Sequence, residues 1–275
     1  MSATDSVLVV LDGSAQDVAT VDWATDEAAA LGTGLTVAHL QAEPVAPDRA
    51  RAPLPAGRRQ PDQGVLEVAA ARVAERAAWV SVTTRAVLGS PLPELLRLAR
   101  QSSRVVLEES RTGRMYHSVA AQVAAQTSRP AVVVRGRAGA AGPVVAHVSG
   151  AGPDELVLRD AVEHARRRQV PLRVLHAYRA AYVDPSGHVP PYYAREDATE
   201  LVETAVAPWA RAYPGVLVES VALSGPAADR LLEVSAGAGL LVVDVRGGGD
   251  QPAALRSPLA RVLTHRAQCP VVITR

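Results

Sequence analysis

Lysine is absent from this chain: every one of its 29 basic residues is arginine. That excludes a Schiff-base lysine, a lysine general base and the lysine of a Walker phosphate loop. Phenylalanine is absent too, and aromatic residues make up 3% of the chain. Stacked aromatic platforms for RNA bases therefore have little to build from. The single cysteine, Cys269, has no partner for an internal disulfide, as suits a reducing compartment. No apolar run approaches the ~20 residues that span a bilayer. Met1–Ser6 shows no basic stretch leading into an apolar one, so a signal-peptide pattern is not evident. Neither sign of charge dominates, with 28 acidic residues against 29 basic and a net charge of +1. Such a balance gives no electrostatic reason to coat nucleic acid or an anionic membrane. The patterns G-x-S-x-G, H-E-x-x-H and C-x-x-C are missing, so hydrolase, zincin and thioredoxin readings have no support. The expectation is a cytoplasmic protein that engages neither nucleic acid nor membrane and has no metal centre.

What is present is enough for a packed core. Of the 275 residues, 48% are hydrophobic and 21% charged, and that length suits two domains of ordinary size. The chain also repeats itself. Val7-Leu-Val-Val-Leu-Asp-Gly13 is echoed by Val144-Val-Ala-His-Val-Ser-Gly150, and Leu35-Thr-Val-Ala-His39 by Leu172-Arg-Val-Leu-His176. Gly89-Ser-Pro, Leu95-Leu96 and Val105-Val-Leu-Glu108 return as Gly225-Pro-Ala, Leu231-Leu232 and Leu241-Val-Val-Asp244. Pro130-Ala-Val-Val-Val134 returns as Pro270-Val-Val-Ile273. The offset stays between 136 and 140 residues, so few insertions separate the copies. The small, Gly-rich stretch Gly136-Arg-Ala-Gly-Ala-Ala-Gly142 reads as a linker. Domains are expected at 1–137 and 142–275.

Within each copy, short β-branched runs alternate with longer segments of helical period. In the first, strands are expected at Val7–Leu11, Leu35–Leu40, Val80–Val87, Val105–Leu107 and Ala131–Val134. Helices are expected near Asp17–Leu31, Val65–Trp79, Leu92–Gln101 and Ser118–Thr127. Continuously apolar runs such as Val7–Leu11 suit strands buried on both faces of a parallel sheet. The alternation implies right-handed crossovers and an α/β fold with two doubly wound sheets. Ligands of such sheets sit beyond the strand C-termini, where the winding reverses. Two long loops, Gln41 to Gln63 and Arg179 to Tyr193, follow the second strand of each copy. They read as surface disorder or as lids.

Specific residues now carry a resemblance. A first strand ending in Asp12-Gly13-Ser14, the Gly89-Ser-Pro-x-x-x-Leu-Leu start of the third helix, and the closing Cys269-Pro-Val-Val resemble a universal stress protein domain, and nearly the whole chain is covered twice. The resemblance implies five-stranded parallel sheets of order 3-2-1-4-5, Rossmann-like and similar to the adenine nucleotide alpha hydrolase fold. It implies ATP or AMP as ligand, with an Asp after the first strand reaching the nucleoside and backbone near the end of the second strand meeting adenine. It also implies a phosphate loop after the fourth strand: Gly, two residues, Gly, nine residues, then Gly followed by Ser or Thr. Backbone N–H groups and a helix N-terminus make an anion site only where side chains leave room. Carried onto this chain, the candidates are Asp12, Gly13, Ala38, Gly113 and Ser118 in the first copy, and Gly247 and Ser257 in the second.

The chain departs from the pattern in both copies. In the first, Glu108 stands at the first glycine position, His117 replaces the last glycine, and the loop is four residues short. In the second, the loop has its full length, but Asp244 replaces the first glycine. Ser257 replaces the third, Pro258 the Ser/Thr, and Ser149 stands where Asp12 stands. A carboxylate opposes a polyanion, at about 4 kcal/mol for two unit charges a few ångströms apart in a surface-like dielectric. Mg²⁺ or the nearby Arg111, Arg114, Arg246 and Arg256 could offset that. Asp12 has two readings of equal weight, ligand contact and helix cap. His39 and His176 read as hydrogen-bonded structural residues, and His147 as packed.

The expected function is a non-enzymatic stress-response or regulatory protein with degenerate nucleotide sites. A nucleotide sensor using the first copy is the alternative, and a small-molecule enzyme of the wider nucleotide-binding α/β group is a third reading, with weak ATP hydrolysis left open. The resemblance further implies pairing of the two copies through their fifth strands, Ala131–Val134 and Val271–Thr274. It leaves open a homodimer and a protein partner.

Overall fold

The structure, a computed structural model, describes residues 6–14, 17–41, 63–88, 91–108, 119, 122–124, 126–136, 141–150, 154–178, 195–244 and 258–274. The chain divides into two compact units, Met1–Val123 and Ala124–Arg275. In the first unit β1 (Ser6–Leu11), β2 (Leu35–Gln41), β3 (Val82–Leu88) and β4 (Ser102–Glu108) alternate with α1 (Asp17–Leu31), α2 (Gln63–Arg76) and α3 (Pro91–Arg100). The strands lie parallel in the order β3-β2-β1-β4. β1 is central, and its Val7, Leu8, Val9 and Leu11 are fully buried, as a strand covered on both faces requires. Burying side chains of this size contributes roughly 1.5–3 kcal/mol each.

Helix α1 buries Val21, Trp23, Ala24 and Ala28. It ends at Gly32, whose φ of +66° is the left-handed conformation that terminates helices. Its outer side is tied to α2 by two forked ion pairs, Arg72 to Asp22 at 2.7 and 2.8 Å and Arg76 to Asp26 at 2.5 and 2.7 Å. Helix α3 opens on Pro91, where a missing N–H does no harm.

The second unit contains β5 (Ala131–Val134), β6 (Val144–His147), β7 (Leu172–Tyr178), β8 (Val218–Ser224), β9 (Leu240–Asp244) and β10 (Val271–Thr274). Its helices are α4 (Glu155–Arg168), α5 (Arg195–Ala212), α6 (Ala227–Ser235) and α7 (Pro258–Arg266). Strands β6 to β10 are parallel in the order β8-β7-β6-β9-β10, which is 3-2-1-4-5 in repeat terms. β5 lies next to β10 and antiparallel to it, with Val133 opposite Val271 and Ala131 opposite Ile273. The sheet of the second unit is therefore mixed.

Two expectations need correction. β4 starts at Ser102, three residues before the apolar run, because Arg104 is buried against Glu27 of α1 at 3.2 Å instead of facing water. α2 stops at Arg76, and Trp79 is 64% exposed in the turn that follows. The two ends of the Gly-rich stretch lie against backbone. Gly136 has a φ of +61°, and a Cβ there would lie 2.0 Å from the Gln268 carbonyl oxygen. A Cβ on Gly142 would lie 2.6 Å from the Gly237 carbonyl oxygen. Both positions need glycine because backbone occupies the side-chain space. Both long loops fall largely outside the described residues; of the helix expected at Ser118–Thr127, 119, 122–124 and 126 are helical, and 118, 120, 121 and 125 lie outside the described residues.

Candidate functional site

Where β1 meets α1, the chain turns through Asp12, Gly13 and Ser14. Gly13 adopts φ +82°, which glycine reaches without a steric penalty. Two carboxylates hold the turn. Asp12 Oδ1 accepts the Ser14 N–H at 3.0 Å, and Asp17 Oδ2, from the first residue of α1, accepts the Gly13 N–H at 3.0 Å. β4 runs beside β1, with Leu107 opposite Val10, so Glu108 arrives at the same end of the sheet. The Ser14 hydroxyl donates to Glu108 Oε1.

Glu108 is 6% exposed. Its carboxyl is pushed up to about 8, first by burial and then by its hydrogen bond to Asp17; the charges of Asp12 and Asp17 act in the same direction. Burial raises Asp17 as well, while the bond from Glu108 opposes that rise. Beyond the bond they share, no donor from another residue reaches Asp17 Oδ1 or Glu108 Oε2. The pair is joined by one proton, held on Glu108 at neutral pH. One carboxylate oxygen from each of Asp12, Asp17 and Glu108 falls within 4.8 Å of the others, the one such cluster of metal-ligand side chains among the described residues. A half-open cavity of about 370 Å³ lies beside this cluster, between α1 and α2.

The second unit repeats the turn with different chemistry. Ser149 replaces Asp12, yet Asp154 does the work of Asp17. Its Oδ1 accepts the Ser149 N–H at 3.1 Å, and its Oδ2 accepts the Gly150 N–H at 3.2 Å. Leu201 of α5 packs so closely on Gly150 that a Cβ there would lie 2.5 Å from its Cδ1. His176 Nδ1 bonds the Val148 carbonyl at 2.8 Å, and His147 is buried in β6 with its imidazole pushed down to about 4, chiefly by desolvation. His176 thus has the structural bond expected of it. Asp244, at the position of Glu108, ends β9 half-buried opposite Thr274.

Of the residues proposed from sequence, Asp12 and Gly13 sit together in the first turn. Ala38 is fully buried in β2, opposite Val10 of β1. Gly113, Ser118, Gly247 and Ser257 lie outside the described residues, as do Arg111, Arg114, Arg246 and Arg256. Asp12 makes the local bond of a cap-like turn. Sequence reading missed Asp17 and Asp154. Their signal was an Asp four residues after the turn glycine in both copies.

A family model described as the universal stress protein family matches residues 4–135 and again 142–275. A universal stress protein of Mycobacterium tuberculosis (strain ATCC 25618 / H37Rv) is 27% identical over 287 residues, covering 98% of this chain and 96% of that protein. A second from the same strain is 27% identical over 285 residues, with the same coverage. Among solved structures, a putative universal stress protein from Pseudomonas aeruginosa UCBPP-PA14 superposes with a TM-score of 0.64 at 14% identity, covering 98% of this chain and 92% of that one.

Proposed function

Because the chain belongs to the universal stress protein family, we propose that it is a tandem stress-response regulatory protein whose two crevices do not take a nucleoside triphosphate. The reading rests on one observation: the buried Glu108 carboxyl, bonded to Ser14 and facing Asp17, at the position where the phosphate loop would begin with glycine. A triphosphate there would meet the Glu108 side chain where a glycine would leave room, beside the negative charge that the Asp17–Glu108 pair keeps, and burial strengthens that opposition. In the second copy the close approach of Leu201 to Gly150 supports the same reading. We read the protein as non-enzymatic. We take the repeats as 1–137 and 142–275, the compartment as the cytoplasm and the partner as another protein. The antiparallel pairing of β5 with β10 supports association of the repeats through their fifth strands. No helix among the described residues is long and apolar enough to cross a membrane.

A thermal-shift titration with Mg-ATP and AMP tests this reading, because a ligand of the folded state raises the melting temperature by mass action. The expected result is no saturable shift at millimolar nucleotide. Saturable stabilisation lost in Asp12→Ala would overturn it in favour of a nucleotide sensor in the first copy. That second reading is favoured by the accessible Asp12-Gly13 turn and the cavity beside it.

A further inference from the structure

The groove between the first two helices is built twice in this chain, and the two copies finish it differently. In the first unit a half-open cavity of about 370 Å³ lies between α1 and α2. Leu11, Val21 and Ala69 are buried behind it, Val65 forms a wall, and Val18 and Val68 stand at the rim, 50% and 64% exposed. Each polar side chain of the lining is already engaged. Asp17 holds the Gly13 N–H and the Glu108 carboxyl, Ser14 donates to Glu108, and the Arg72 guanidinium is forked onto Asp22. In the second unit α5 comes down on the turn, and Leu201 Cδ1 lies 2.5 Å from where a Cβ on Gly150 would be. At Gly13 that place is 3.5 Å from His39 Nε2, and no atom of α2 among the described residues comes within 4 Å of it. The two turns correspond through Asp17 and Asp154, and the two helices through the Ala77 and Tyr213 N–H groups, which bond the Val73 and Trp209 carbonyls. In that register Leu201 takes the place of Val65, the exposed Glu155 that of Val18 and the exposed Thr204 that of Val68. The second copy fills the groove and makes its rim polar; the first does neither. Exposed apolar side chains gathered around a concavity mark a contact site.

We propose that the first unit binds a neutral aliphatic molecule in this cavity, its chain passing between Val18 and Val68 toward Leu11 and Val21. Two observations set the class of ligand. The second copy places a branched aliphatic side chain, Leu201, against the corresponding turn, so the fold accepts hydrocarbon there. The charged groups of the first groove are paired within the protein, so a charged ligand finds no partner for the hydration it gives up. Water in an apolar concavity makes few bonds to its walls, and an apolar chain that displaces it gains free energy. A volume of about 370 Å³ falls in the range of ligand pockets. The site stands apart from the nucleotide question, because its ligand is uncharged and is held by the valines of α1 and α2.

The probes are 1-butanol, 1-hexanol, hexanoate, hexylamine and adenosine, each titrated into the full chain and followed by methyl chemical shifts. Hexanol should bind saturably in the millimolar range and move the methyl signals of Val18, Val65 and Val68, while those of Leu201 in the second unit stay in place. Each methylene added between butanol and hexanol should tighten binding by about fourfold. Hexanoate and hexylamine should bind no more tightly than hexanol. Giving the first groove the rim of the second, Val18→Glu with Val68→Thr, should weaken hexanol by about tenfold; both positions are exposed, so the fold is kept. Val65→Leu should weaken it too, by filling the groove from α2. Equal shifts in the two units would overturn the proposal, as would unchanged affinity in both variants. Tenfold tighter binding of either charged probe would show that the lining reads charge, against the proposal. Displacement of hexanol by adenosine would make the cavity part of a nucleoside site. Valine shifts that follow protein concentration without any probe would assign the groove to a second copy of the chain. Either result also overturns it.

Discussion

Ser14 donates its hydroxyl to Glu108 across 94 residues of chain, joining the turn after β1 to the last residue of β4. The bond brings a side chain into the place where such folds usually leave room for a ligand. It also commits Glu108 to a buried position where its proton is held to about pH 8.

Stability should therefore fall as pH rises through the range of that carboxyl. The folded state keeps a proton that the unfolded chain releases near its ordinary value of 4.5. Between that value and about 8 the folded protein binds more protons, so raising the pH favours unfolding. Urea melts of wild type and Glu108→Gln from pH 5 to pH 9 check this. The decline should be shallower in the variant; identical pH profiles would show that Glu108 titrates normally.

His147 should produce the opposite slope. Its imidazole is held down to about 4, first by burial and then by the charge of His176. The unfolded chain takes up a proton near 6.5 that the folded chain refuses, so stability is lost as pH falls from 6.5 toward 4. His147→Leu should flatten that limb of the pH curve, leaving the alkaline limb to Glu108.

Replacing Glu27 by Gln should destabilise the first unit by about 3–5 kcal/mol, because it removes a carboxylate paired with the buried Arg104 guanidinium. The double replacement Glu27→Leu with Arg104→Met should recover most of the loss, since an apolar pair of similar volume often serves as well. Urea unfolding midpoints decide it. A single variant as stable as wild type would mean that water or another acceptor reaches Arg104.

Cys269 should be inert in the native protein. It is fully buried, and desolvation pushes its thiol up to about 12. At pH 8 its thiolate fraction is then about a thousandfold below that of an ordinary thiol. An aromatic disulfide reagent should label it only after denaturant is added. Rapid native labelling would place the sulfur in contact with solvent.

The sheet was legible because inner strands such as β1 and β9 carry continuously apolar runs, and the pattern recurs at a nearly constant offset. Asp17 could be read as the start of a helix from its position at the head of a segment of helical period, and α1 begins there. Its second role, holding the Gly13 N–H, depends on the left-handed turn, which the letters alone do not place. Glu108 stood out as a departure from a glycine pattern. That it would bond Ser14 required knowing that β4 lies beside β1, a neighbour relation set by the crossover and not by local sequence. The start of β4 was lost for a related reason. Ser102-Ser103-Arg104 looks polar, and only the burial of Glu27 on α1 makes Arg104 an interior residue. Repeat matching paired Asp12 with Ser149 by position and so passed over Asp17 and Asp154, which share the function.

The antiparallel pairing of β5 with β10 sets a delay during synthesis. Val133 leaves the ribosome roughly 140 residues before its partner Val271 exists, an interval of about 7–28 s at ordinary translation rates. Throughout that time Ala131–Val134, an unbroken apolar segment, must wait for the last strand of the chain. A nascent protein arrested between the two strands would carry that adhesive segment unpaired toward β10, so ribosome stalling and chaperone supply bear directly on the yield of folded molecules.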